Sequence, residues 1–151
     1  MAKPRWAQTE RRPCGFERGP IVDVNRERWS EYAPRRYGWD RAEEDIGRLA
    51  ARAEALNREI AASNHLGEQY ELGHTYYFDA AFLIATWLQG RKQLRGGVLW
   101  RKPGKPQKPL EDLWTLSLEP VLAQYLEGID PAAAREEIER LRNVLFDIEA
   151  S

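Results

Sequence analysis

Five apolar residues, Ile46, Leu49, Ala53, Leu56 and Ile60, follow one another at steps of 3, 4, 3 and 4. That spacing predicts one buried face of an amphipathic helix over the stretch DRAEEDIGRLAARAEALNREIAAS. Asp40 stands where an N-cap belongs, with Glu43 three residues on as in a capping box. After Asp79, placed to cap a second helix, AAFLIATWLQ is apolar nearly all round, which predicts a buried helix ending at Gly90. LEDLWTLSLEPVLAQYLEG (110–128) is helical again, with Pro120 expected to kink it or restart it near Leu118. Asp130-Pro131 then makes an N-cap and N1 pair for a last helix, facing inward with Ile138, Leu141, Leu145 and Ile148.

Two segments lack such a period. Residues 1–38 hold four prolines, three glycines and scattered aromatics, which predicts an irregular arm, with IVDV (21–24) its one candidate strand. Residues 91–109 are rich in Gly, Pro and Lys and predict a loop with a hairpin around Gly96-Gly97. The expected fold is therefore mainly α: a small helical bundle over 39–151 with a basic loop at 91–109 and an irregular basic arm over 1–38.

The 151 residues suffice for one domain. A net charge of −1 and a mean hydropathy of −0.68 predict a solvated surface. No apolar run approaches the ~20 residues of a membrane span. The first residues lack the apolar core of a secretory signal, so a cytoplasmic location is the simplest expectation. Charge is unevenly spread: residues 1–38 carry nine Lys/Arg against five Asp/Glu, and residues 90–109 carry seven Lys/Arg and no acid. The loop cations Arg91, Lys92, Arg95, Arg101, Lys102, Lys105 and Lys108 surround Trp100, and the arm adds Arg11, Arg12, Arg18, Arg35 and Arg36. Such a surface can neutralise phosphates, with Trp100 stacking on a base, so DNA is a candidate partner.

No catalytic constellation emerges. The phosphate cradle G-x-x-x-x-G-K-[ST] is absent, and Pro103 removes a backbone N–H from the one Gly- and Lys-rich stretch. Cys14 is the single cysteine and lies beside Arg11 and Arg12 without an evident base. His65 and His74 lack a third converging donor, so no metal site is expected. Glu43-Glu44-Asp45 and Glu136-Glu137 read as solvated helix surface.

One connection is unlike an ordinary helical turn. LGEQYELGHTYYFD (66–79) holds a His, three Tyr, two Gly and a Phe. Leu56 and Asn57, Leu66 and Gly67, then Gly73, His74, Thr75 and Tyr76, followed by Trp114, Pro120, Leu122 and Tyr125, stand in an order similar to the C-terminal helical lid of McrB-type AAA+ NTPases. The resemblance covers residues 49–128, roughly half the chain. That family supplies the nucleotide-driven motors of modification-dependent restriction systems, including those specific for 5-methylcytosine.

The resemblance implies a lid that works only with an AAA+ core subunit, or through self-association, in nucleotide-dependent DNA restriction. ATP or GTP with magnesium would be held by that complex. Gly73, His74 and Thr75 are the implied residues at the nucleotide cleft, with His74 alternatively a hydrogen-bonded support for its own turn. Gly73 is expected to supply a backbone geometry or close approach closed to other residues. Tyr76, Tyr77, Phe78, Trp114 and Tyr125 are expected in the core. A lid without its core should also expose an apolar patch. The alternative expectation is a nucleic-acid-binding accessory protein using the basic loop and arm.

Overall fold

The computed structural model describes residues 19–148, which are mainly helical. Helix α1 spans Gly19–Tyr32, α2 Glu43–Ala62, α3 Ala80–Leu88, α4 Lys108–Leu113, α5 Glu119–Tyr125 and α6 Pro131–Phe146. A two-stranded antiparallel ribbon, β1 (Trp100–Lys102) and β2 (Lys105–Pro106), interrupts them. Among the described residues no helix is long and apolar enough to cross a membrane.

The periodic face of α2 is the centre of the core. Ile46, Leu49, Ala53, Leu56 and Ile60 are all buried, and α6 packs along this helix with Leu141 and Leu145 inward and Ile138 and Ile148 partly covered. Both ends of that helix pair are fastened by charge. Near the start of α6, the Ser63 hydroxyl donates to Glu137 at 2.6 Å, while Arg140 spans Glu137 and Glu59. At its other end the Arg52 guanidinium donates twice to the Val144 carbonyl, which also accepts from the Asp147 N–H that closes the helix. Asp130 caps α6 as expected, accepting from the Ala133 N–H at 3.1 Å.

The N-terminal part departs most from expectation. From Gly19 the irregular arm is instead a helix, and the proposed strand at 21–24 lies within it. Ile21, Val22, Asn25 and Trp29 form its buried face, packed against α2 and α3, and Tyr37 joins the same core. Residue 38 is therefore not a boundary between arm and bundle. The face has no apolar period in the sequence because its central position is a polar residue, Asn25, which is fully buried. Residues 1–18, with Cys14, Arg11, Arg12 and Arg18, lie outside the described residues.

Local corrections have local causes. Asp40 does not cap α2: it sits in a 3-10 turn (Trp39–Arg41), its carboxylate folds back over Gly38, and Ala42 occupies the cap position. Asp79 precedes α3 but makes no cap bond with its side chain. The ribbon turns at Pro103-Gly104, with Gly104 at φ +79, rather than at Gly96-Gly97. Gly96, at φ +80, lies against the Arg101 backbone, and any Cβ there would collide with it. Ahead of Pro120 the long helix opens into a π-helical stretch, Trp114–Leu118, which separates α4 from α5 where proline cannot donate. Asp45 and Glu137 belong to the interior, not to the solvated surface expected of them.

Candidate functional site

The Gly73–Thr75 turn is built from below by Asn57 on α2. Its side-chain amide donates to the Leu72 carbonyl at 2.9 Å and its oxygen accepts from the Leu72 N–H at 2.7 Å. Both backbone groups of buried Leu72 are thus fixed one residue before the turn. The chain then winds as a 3-10 helix, His74–Tyr77, and drops Tyr77 into the core. Burial raises the pKa of the Tyr77 hydroxyl well above the usual tyrosine value. On the far side Asn25 of α1 donates to the Tyr77 carbonyl at 3.1 Å and accepts from the Ala81 N–H at 2.8 Å. Arg28 donates to the Phe78 carbonyl and to Asp79.

The two stretches that carry the resemblance meet here. The ring of Tyr125 on α5 lies 4.7 Å from that of Tyr70, tilted by 47°. Burial raises the Tyr125 pKa, and the neighbouring Tyr76 and Tyr70 hydroxyls add to the effect. Tyr76, Phe78 and Tyr125 are half-buried, whereas Tyr77 and Trp114 are fully in the core.

Gly73, His74 and Thr75 stay exposed on this braced turn. Among the described residues no hydrogen bond holds the His74 or Thr75 side chain, so His74 does not support its own turn. Gly73 needs no special backbone: its φ is −76, and a Cβ would meet open space. The arrangement offers an imidazole and a hydroxyl on an exposed edge, both able to make hydrogen bonds to a polar ligand. Among the described residues no group of three or more His, Cys, Asp or Glu is placed to hold a metal ion.

The predicted basic loop forms a second feature. Arg91, Arg95 and Arg101 line a cleft of about 400 Å³ together with Trp87, Gln93 and Gln107. The Arg91 guanidinium lies 4.2 Å from the centre of the Trp87 ring and donates to the Trp87 carbonyl. The backbone beneath is well anchored. Arg36 and the Tyr37 hydroxyl both donate to the Arg91 carbonyl, and Gln107 donates to the Arg95 and Gly97 carbonyls. Buried Asp45 accepts from the Leu99 and Trp100 N–H groups, tying the loop to α2. Among the described residues, no carboxylate pairs with Arg91, Arg95 or Arg101.

The other candidates of this loop fall outside the cleft. Trp100 is 1% exposed and its indole N–H donates to the Phe146 carbonyl at 2.8 Å, so it is a core residue and cannot stack on a base. Lys108 pairs with Asp112 one turn along α4. Lys92, Lys102 and Lys105 are exposed without lining the cleft. The aromatic residue at the cleft is Trp87, in the last turn of α3, with Arg91 folding back over it from just beyond the helix end.

Compared with protein-family models, with curated proteins and with solved structures, the chain gives no match.

Proposed function

We propose that this chain acts as the helical lid of a McrB-type AAA+ NTPase, contributing to nucleotide-dependent DNA restriction only together with an AAA+ core. The observation that supports this reading is the packing of its two motif stretches. Asn57 grips Leu72, Tyr125 packs on Tyr70, and between these supports the turn carrying His74 and Thr75 is exposed and rigidly based. Side chains held on a fixed frame lose little entropy on meeting a ligand. In this role the turn supplies hydrogen bonds to ATP or GTP from the open side of the nucleotide, while phosphates and magnesium are held by the partner.

A lid also needs an apolar contact for its partner. Tyr32 and Phe82 form an exposed edge-to-face pair with ring centres 5.4 Å apart, and Leu116 is two-thirds exposed. These residues favour pairing with a core subunit over a solitary existence.

Purification of the tagged chain from its native host after nuclease treatment, with mass spectrometry of co-eluting proteins, tests the proposal. The expected result is stoichiometric recovery of a protein carrying Walker motifs, with Phe82→Ser weakening the association. Recovery of the folded chain alone overturns it.

A further inference from the structure

We propose that the cleft formed by Trp87, Arg91, Arg95 and Arg101 binds the phosphodiester backbone of single-stranded nucleic acid. The cleft shares no residue with the turn at 73–75.

Three guanidinium groups without a carboxylate partner among the described residues converge on one concave surface. Like charges held together destabilise a fold unless counter-ions or a ligand relieve them, and guanidinium forks match phosphate oxygens better than ammonium groups do. The positions of these arginines are set by the backbone. Tyr37, Arg36, Gln107 and Asp45 fasten the carbonyls and amides of the loop, leaving the cleft arginines exposed.

The aromatic component favours a strand with unpaired bases. The Arg91 guanidinium, itself planar, already lies 4.2 Å from the centre of the Trp87 ring. Bases stack on such planes as they do on aromatic rings, which requires an unstacked base. The cleft holds about 400 Å³, and a flexible single strand is the form of nucleic acid whose unpaired bases are free to enter it. Beyond residue 38, the sequence outside 90–109 carries seven Lys/Arg against nineteen Asp/Glu, so within that part of the chain anion attraction concentrates at this loop.

Fluorescence anisotropy of the full chain with a fluorescein-labelled oligothymidylate of about twelve nucleotides tests the proposal, with titrations at several salt concentrations. Three phosphate contacts predict a slope of log affinity against log salt of about −2, and so a weakening of roughly 20-fold between 50 and 200 mM salt. The double variant Arg95→Gln/Arg101→Gln keeps every described side-chain hydrogen bond of the cleft. It should lose at least about tenfold in affinity and more than half of the slope. Lys108→Gln, outside the cleft, should leave both unchanged.

Binding that is absent at 50 mM salt overturns the proposal, as does an unchanged affinity and slope in the double variant. Tighter binding to the matching duplex overturns the single-strand assignment. Displacement by micromolar ATP would instead assign the cleft to a free nucleotide.

Discussion

Asn25→Ala should be among the most damaging single changes in this chain, although sequence pattern alone places residue 25 in an irregular arm. The Asn25 side chain is fully buried. Its oxygen accepts from the Ala81 N–H, one of the unpaired donors at the start of α3, and its amide donates to the Tyr77 carbonyl. Its third partner, the Ile21 carbonyl, lies within the α1 ladder and counts for less. Truncation therefore strands two buried backbone groups, each worth about 1–3 kcal/mol, and a loss of about 2–4 kcal/mol follows after partial relaxation. For a chain of this length that lowers Tm by about 5–15 °C.

The companion variant is Asp79→Ala, at the residue whose position suggests the cap. Its side chain makes only an exposed pair with Arg28 at 3.0 Å, so it should cost below about 1 kcal/mol. Urea unfolding followed by circular dichroism at two protein concentrations measures both. An Asn25→Ala change within about 0.5 kcal/mol of the parent, or a larger effect for Asp79→Ala, would refute the cross-helix cap.

Three further outcomes follow from the geometry. Hydrogen bonds from Arg140, reinforced by Ser63 and opposed by burial, hold the Glu137 pKa below the usual glutamate value. Its contribution is therefore present above the ordinary glutamate pKa of about 4.3 and is lost as pH falls through the lowered folded value. Glu137→Gln should cost about 1–2 kcal/mol at pH 7, and the gap in urea midpoint should close on acidification; a gap independent of pH would contradict this. Gly96→Ala, at φ +80 and against the Arg101 backbone, should cost at least about 2 kcal/mol, whereas Gly73→Ala should fall within about 0.5 kcal/mol, both read from thermal melts. Trp100→Phe should lower stability by about 2–3 kcal/mol, through its lost bond to Phe146 and the space left behind, while leaving oligonucleotide affinity unchanged.

The elements legible in the sequence are those whose own residues carry the signal. The α2 stripe and the Asp130-Pro131 cap of α6 are local facts, and both stand in the structure. Helix α1 and the cap of α3 depend on a partner 52 or more residues away: Asn25 is tolerable in a buried face only because Tyr77 and Ala81 satisfy it. No local window contains that information. The same holds for Asp45, acidic in a first turn yet turned inward to the Leu99 and Trp100 amides.

In the basic loop the concentration of charge was plain, and Arg91, Arg95 and Arg101 do converge. Which tryptophan joins them was not, because Trp100 and Trp87 differ in surroundings rather than in sequence character. One is anchored to Phe146 inside the core and the other lies under Arg91 at the cleft wall. At the turn 73–75 the glycine expected to need a special geometry has an ordinary backbone and open space around it, which no sequence pattern could show.

The lid proposal is tested most directly by the nucleotide affinity of the chain in complex with the Walker-containing subunit it is proposed to pair with. Titration of that complex with a fluorescent ATP or GTP analogue, parent against His74→Ala/Thr75→Val, is the measurement. Both side chains are exposed and unbonded within the described residues, so the fold should be unaffected. Loss of two hydrogen bonds to the nucleotide predicts a weakening of about 10-fold or more. An affinity unchanged by the double substitution, in a complex that still assembles, would contradict the account.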